Sequence, residues 1–157
     1  MAKRLEVPSG TLVRKVVAAL QDAGLEPAIG GSGLMAALGL ATCVRDWDLT
    51  VDAPEAAVGE ALDRAGIPYV PRAAGDGPHG TRARYLIDAV DHEIDLMVCF
   101  AVRTADGVVP IRTRVTRQWR SLPVGDPVAW AFAYEAIGRA GKAQILKDWL
   151  SDQEVGR

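Results

Sequence analysis

The chain has 157 residues, of which 49% are apolar and 24% charged, with a formal net charge of −2. That length suits one domain, residues 1–157, with a core of useful size, and the composition is that of an ordinary soluble protein. The near-neutral charge implies no global attraction to nucleic acid. Cys43 and Cys99 are too few for a disulfide scaffold or a zinc site. No apolar run is long enough to span a membrane, and the start MAKRLEVPSG has no apolar core of the kind a signal peptide needs. A cytoplasmic setting is therefore the expectation.

Ser9 to Asp22 has helical periodicity, with Leu12, Val13, Val16, Val17 and Leu20 on one stripe and Gly24 placed to end it. Glu26 to Gly30 is a short strand feeding a Gly-Gly-Ser-Gly turn. Gly30, Gly31 and Gly33 leave the backbone uncovered, and Ser32 is placed to cap a helix suggested by Leu34, Met35 and Leu38. Exposed N–H groups at a helix start attract anions, so this turn is a candidate phosphate cradle. The plainer alternative is an ordinary glycine-rich connection.

The next stretch alternates strictly. Trp47, Leu49 and Val51 interleave with Asp46, Asp48, Thr50 and Asp52, the period of a half-buried strand. Side chains at i and i+2 share a face about 7 Å apart, so Asp46 and Asp48 can reach one site. Crowded carboxylates repel unless a cation sits between them, and hard oxygen ligands suit Mg²⁺. A polar strand face turned to water is the alternative.

Pro54 opens another helix with Val58, Ala61 and Leu62 inward and Gly66 as its stop. Ile67 to Val70 is a short strand, and Pro71 to Gly80 a surface loop. Arg82 to Ala89 and Asp91 to Phe100 form a hairpin with its turn near Asp88 to Asp91. Asp95 interrupts an apolar run between Ile94 and Leu96, and a buried charge there is costly unless paired or metal-bound. Glu93, on the same face, is its rival and is better placed as a solvated strand end. From Ala101 to Arg120 the pattern is irregular, with Arg103, Arg112, Arg114, Arg117 and Arg120 against only Asp106. This is either a basic lip for phosphates or a solvated edge strand, and charge runs favour the second. Asp126 and Pro127 begin a helix whose Trp130, Tyr134 and Ile137 make a stripe, more often core than a base-stacking platform. After Gly138 a last helix turns Ile145, Leu146 and Trp149 inward.

The order Gly-Gly-Ser, Asp-Trp-Asp, then a lone Asp in a later apolar strand resembles the nucleotidyltransferase superfamily, the DNA polymerase β-like fold. The C-terminal run LPVGDPVAWAFAYEAIGRAGKAQILKDWL is also similar to its small stand-alone members. The likeness covers roughly Gly24 to Leu150. Trp47 departs from the aliphatic residue common between the two aspartates and is expected to face the core. The resemblance implies an α/β (α+β) fold: a mixed sheet, here of about four to six strands, with helices mainly on one face and a C-terminal helix pair. It also implies a metal-dependent enzyme. A nucleoside triphosphate, ATP among the candidates, would lie at Gly30, Gly31 and Ser32. Lys142 would face its phosphates. Asp46, Asp48 and Asp95 would be the catalytic and metal-holding carboxylates, for Mg²⁺ or in its place Mn²⁺. A nucleoside monophosphate would pass to an acceptor hydroxyl. Aminoglycosides, other small alcohols, tRNA ends and protein hydroxyls all stay open as acceptors. A nucleotide-binding module with little catalysis and a plain interaction domain are the rival classes. A homodimer or a helical partner protein could complete the cleft.

Overall fold

The computed structural model describes residues 4–75 and 77–156. Asp76, inside the expected Pro71 to Gly80 loop, lies outside them. In chain order the elements are α1 (Thr11–Asp22), β1 (Ala28–Gly30), α2 (Gly31–Ala37), β2 (Trp47–Val51), α3 (Glu55–Arg64), β3 (Val70–Arg72), β4 (Ala83–Asp88), β5 (Glu93–Val98), β6 (Ala101–Thr104), β7 (Gly107–Pro110), β8 (Arg117–Trp119), β9 (Leu122–Val124), α4 (Pro127–Ala136) and α5 (Ala140–Val155).

Seven strands form one mixed sheet in the order β3-β4-β5-β2-β1-β9-β8, and β6 and β7 form a separate ribbon. The main sheet is thus wider than the four to six strands expected. The extra width comes from the arginine-rich region, where Arg117–Trp119 turns back on Leu122–Val124 to make an edge. At the centre, β2 runs antiparallel to β1 and parallel to β5. The β4–β5 hairpin pairs in the register expected from its turn, and β3 closes the far edge. That edge strand lies two or three residues later than the Ile67 to Val70 reading. Ile67 instead accepts the end of α3, its N–H donating to the Leu62 carbonyl at 2.9 Å.

The core follows from the sequence periodicities. Val13, Val16 and Leu20 of α1 and Val58 and Leu62 of α3 are buried with Leu49, Val51, Ile94, Leu96 and Val98 of the central strands. α1 packs on α3, and α4 packs on α5. Asp126 caps α4, accepting from the Val128 N–H at 3.0 Å, with Pro127 in the first turn. In α5 the inner face is Ala143 and Leu146. Ile145 was expected there but is 43% exposed, and Trp149 sits under the Arg117 guanidinium instead. β2 is not half-buried as its alternation suggested, because Thr50 is buried too. The Thr113 hydroxyl donates to the Thr50 hydroxyl at 2.8 Å, and the Thr113 N–H donates to Asp52 at 2.8 Å. The last Asp of the alternation is therefore spent on holding a neighbouring segment.

Trp47 faces the core, 1% exposed, and its indole N–H donates to the Ser9 carbonyl at 3.2 Å. Trp47→Ala is expected to lower unfolding stability by about 3–5 kcal/mol, the usual cost of emptying a large aromatic site. Urea unfolding measures it, and a loss under about 1 kcal/mol would deny Trp47 a packing role.

Candidate active site

The site is built where β1 gives way to α2. The helix starts at Gly31, two residues earlier than a Ser32 cap would require, with Gly30 as the N-cap and no side-chain cap bond. Ser32 therefore stands inside the first turn. Two glycines are demanded by contact. A Cβ on Gly30 would run into the Trp130 indole, and a Cβ on Gly31 would run into the Asp48 carboxylate. Gly31 also has φ +58°, a region that side chains strain to enter.

The strand register supplies the charge. Asp48 on β2 lies beside Asp95 on β5, and on its other side opposes Gly30 of β1. One cleft is lined by Gly31, Ser32, Asp48, Asp95 and Lys142 of the sequence-predicted set. Two of that set stand apart. Gly30 packs under Trp130, and Asp46 is exposed on the lead-in to β2, one carboxylate oxygen accepting from the Glu93 N–H at 2.8 Å. Glu93 itself is exposed and 3.7 Å from Arg72.

Sequence reasoning missed several lining residues. Arg84 of β4 reaches across to Asp95: its Nε donates to Oδ1 at 3.4 Å and its Nη2 donates to Oδ2. His79, Arg139, Trp130 and Tyr134 complete the walls. Trp130 and Tyr134 are buried as a core stripe should be, yet the same stripe backs the cleft, with ring centres 5.6 Å apart. Among the described residues the Tyr134 hydroxyl has no hydrogen-bond partner, and the Lys142 ammonium lies 5.5 Å from that ring's centre. The stripe, which begins four residues after the Asp126 cap, was expected to be core first and a stacking platform second, and here it is buried and also backs the cleft.

Crowding shifts the protonation equilibria of the cleft. Asp48 is pushed up to about 7, first by burial and then by the Asp95 and Asp46 charges, while Arg84 and Lys142 pull the other way. Burial and the Arg84 charge hold His79 below the usual imidazole value. Burial, then the Asp48 charge, raises the Tyr134 phenol. Among the described residues no three His, Cys, Asp or Glu side chains are drawn together tightly enough to enclose an ion. Asp48 and Asp95 are the pair that the sheet itself juxtaposes, with Asp46 two residues ahead. Closely held carboxylates that repel suit a hard divalent cation, so the donor chemistry fits one.

The five arginines between Arg103 and Arg120 make no common lip on this cleft. Arg103 donates to the Gly75 carbonyl at 2.8 Å. Arg117 stacks on Trp149 and Arg120 on Trp119. Arg112 and Arg114 line two separate hollows.

No family model and no curated protein matches the chain. Solved structures do. A provisionally named nucleotidyltransferase of Thermotoga maritima is 20% identical, with 90% of this chain and 92% of that one aligned at a TM-score of 0.62. The antibiotic-resistance factor ANT(2'')-Ia in solution is 16% identical over 93% of this chain and 92% of its own, at 0.51. The same factor crystallised with adenylyl-2''-tobramycin gives 14% identity, 91% and 97% coverage, and 0.49. The chain thus has the fold of nucleotidyltransferases, as the motif order implied, and no helix among the described residues is long and apolar enough to cross a membrane.

The raised Asp48 pKa fixes a pH dependence. The folded state binds its proton more tightly than the unfolded chain, so this group lowers stability as pH rises from about 4 to about 7. Asp48→Asn removes that penalty. Without divalent cation, the variant is expected to match wild type near pH 4 and exceed it by roughly 2 kcal/mol at pH 8, after discounting for solvent. Thermal unfolding in EDTA across that range checks it, and a variant less stable at pH 8 would mean Asp48 is favourably paired.

Proposed function

We propose that the chain is a metal-dependent nucleotidyltransferase that moves a nucleoside monophosphate from a nucleoside triphosphate to an acceptor hydroxyl. The observation that carries this reading is the register that sets Asp48 beside Asp95 directly under the Gly31 turn. The shared fold agrees with it.

Asp48 and Asp95, with Asp46 from the strand lead-in, would hold divalent ions, Mg²⁺ or Mn²⁺. Such ions stabilise charge on the attacking and leaving oxygens of an in-line displacement. The protein's own groups do the rest. The uncovered backbone at Gly31 and the Ser32 hydroxyl receive the outer phosphates. Lys142 and Arg139, brought in by the start of α5, offset the triphosphate charge. Asp95 faces the acceptor and can take its hydroxyl proton. The bond from the acceptor oxygen to the α-phosphorus forms as the bond from that phosphorus to the pyrophosphate oxygen breaks.

A second reading, a nucleotide-binding module with little catalysis, has one observation in its favour: Arg84 already occupies both oxygens of Asp95. Either reading leaves room for a partner protein or a second copy to supply the acceptor.

Incubation with each of the four α-labelled ribonucleoside triphosphates, Mg²⁺ and cell extract is expected to label one acceptor. Asp48→Asn and Asp95→Asn should each cut labelling by at least about 100-fold. Nucleotide-dependent thermal stabilisation with no labelled product would select the binding module. Neither stabilisation nor product from any nucleotide would remove both readings.

Gly31→Ala tests the turn. The new methyl must displace the Asp48 carboxylate, so nucleotide binding with Mg²⁺ is expected to weaken by roughly tenfold or more. Calorimetric titration of the folded variant measures this, and unchanged affinity would take the turn out of the site.

A further inference from the structure

Arg84 has no place in the reaction just described, yet it lines the cleft and is paired with Asp95 there. It projects from β4 opposite Met97, one step diagonally from Asp95. Its Nε and Nη2 engage both carboxylate oxygens, the planar two-point match that guanidinium makes with carboxylate. The two side chains are 24% and 17% exposed, so the pair is half-shielded from water and stronger than a surface ion pair. No other hydrogen bond from Arg84 is found among the described residues. The guanidinium stays charged at every working pH. It engages the same two oxygens that a divalent cation would draw on.

We propose that Arg84 is a positioning residue that guards Asp95: its guanidinium holds the carboxylate in the empty cleft and must leave before a divalent cation can bridge Asp48 and Asp95. The inference rests on the metal-dependent reading above. Arg84 offsets the charge that Asp48 and Asp95 would otherwise hold against each other. A cation arriving alone must break a two-point ion pair, whereas one arriving with a triphosphate brings additional oxygen ligands. Cation binding is therefore weak alone and strengthened by nucleotide. The displaced guanidinium stays in the cleft wall, within reach of an anionic group on the incoming substrates.

The experiment is a Mn²⁺ titration followed by electron paramagnetic resonance of the free ion, with and without each ribonucleoside triphosphate. It uses wild type, Arg84→Gln, Arg84→Lys and the double variant Arg84→Gln/Asp95→Asn. Without nucleotide, Arg84→Gln is expected to bind Mn²⁺ roughly tenfold more tightly than wild type, and the double variant to lose that gain. Arg84→Lys keeps the charge but cannot hold both oxygens, so it should tighten binding severalfold. Loss of positive charge alone would also tighten Mn²⁺ binding in Arg84→Gln, so the gain in the charge-keeping Arg84→Lys is what separates a displaced guanidinium from simple repulsion. If Arg84→Gln does not fold, Arg84→Lys carries the test. Wild type that binds Mn²⁺ with nucleotide, beside folded arginine variants that bind Mn²⁺ alone no better than wild type, overturns the guard and leaves the metal-dependent reading standing. No Mn²⁺ binding by any variant with any nucleotide overturns both.

Discussion

Everything in the cleft depends on how β2 and β5 pair. The two strands run parallel, with Asp48 beside Asp95 and Gly30 on the far side of Asp48. A sheet of this kind does not ordinarily set two acids side by side near its centre, because like charges held a strand's width apart raise the cost of ionising each other. The conflict is tolerated because the surrounding packing dictates the register. Ile94, Leu96 and Val98 on one strand and Trp47, Leu49 and Val51 on the other are all buried. The aliphatic contacts fix the strands, and the acids accept the consequence.

Two further groups make the arrangement bearable. Arg84 covers Asp95, and Lys142 approaches from α5 above the Tyr134 ring. The aromatic wall matters electrostatically as well as sterically. Phe100, Trp130 and Tyr134 follow one another at 5.1 and 5.6 Å, and they keep water from one side of the carboxylates. With water partly excluded, each remaining charge acts more strongly on its neighbours. Gly30 belongs to the same construction. Its lack of a side chain lets the Trp130 ring lie against the backbone, which draws α4 onto the turn.

Much of this was legible in the chain. The alternation from Asp46 to Asp52 placed Asp48 on a central strand, though Asp46 stands ahead of it on the lead-in, and the misfit of Asp95 in an apolar run marked its neighbour. Helix stripes on α1 and α3 and the Asp126–Pro127 start of α4 also read correctly. What stayed hidden depended on pairing between distant segments. No local pattern says that β2 lies parallel to β5 or that Thr50 is buried by Thr113, sixty-three residues away. Ser32 read as a cap because it follows glycines, but the helix begins at Gly31, whose left-handed conformation already turns the chain. Ile145 sits on a helix with few buried side chains, so its periodicity was a weak guide. Arg84 is the instructive omission. A hairpin turning near Asp88 to Asp91 sets residue 84 diagonally across from residue 95, so the ion pair could have been counted out along the two strands.

Trp47 and Asp48 are consecutive and point to opposite sides of the sheet, one into the core and one into the cleft. A slip of a single residue along β2 would exchange them. The bulkiest side chain of the core would be driven into the cleft, and a carboxylate would be thrust among valines and leucines. Either exchange alone is a heavy penalty, and the two cannot be incurred separately. The dipeptide therefore acts as a frame marker for the strand. Changes of length before it can be absorbed only in the connection that follows α2, where Gly39 takes the chain out of the helix. Within the strand itself, an insertion or deletion would incur both penalties at once, while a substitution on the outer strands would incur neither.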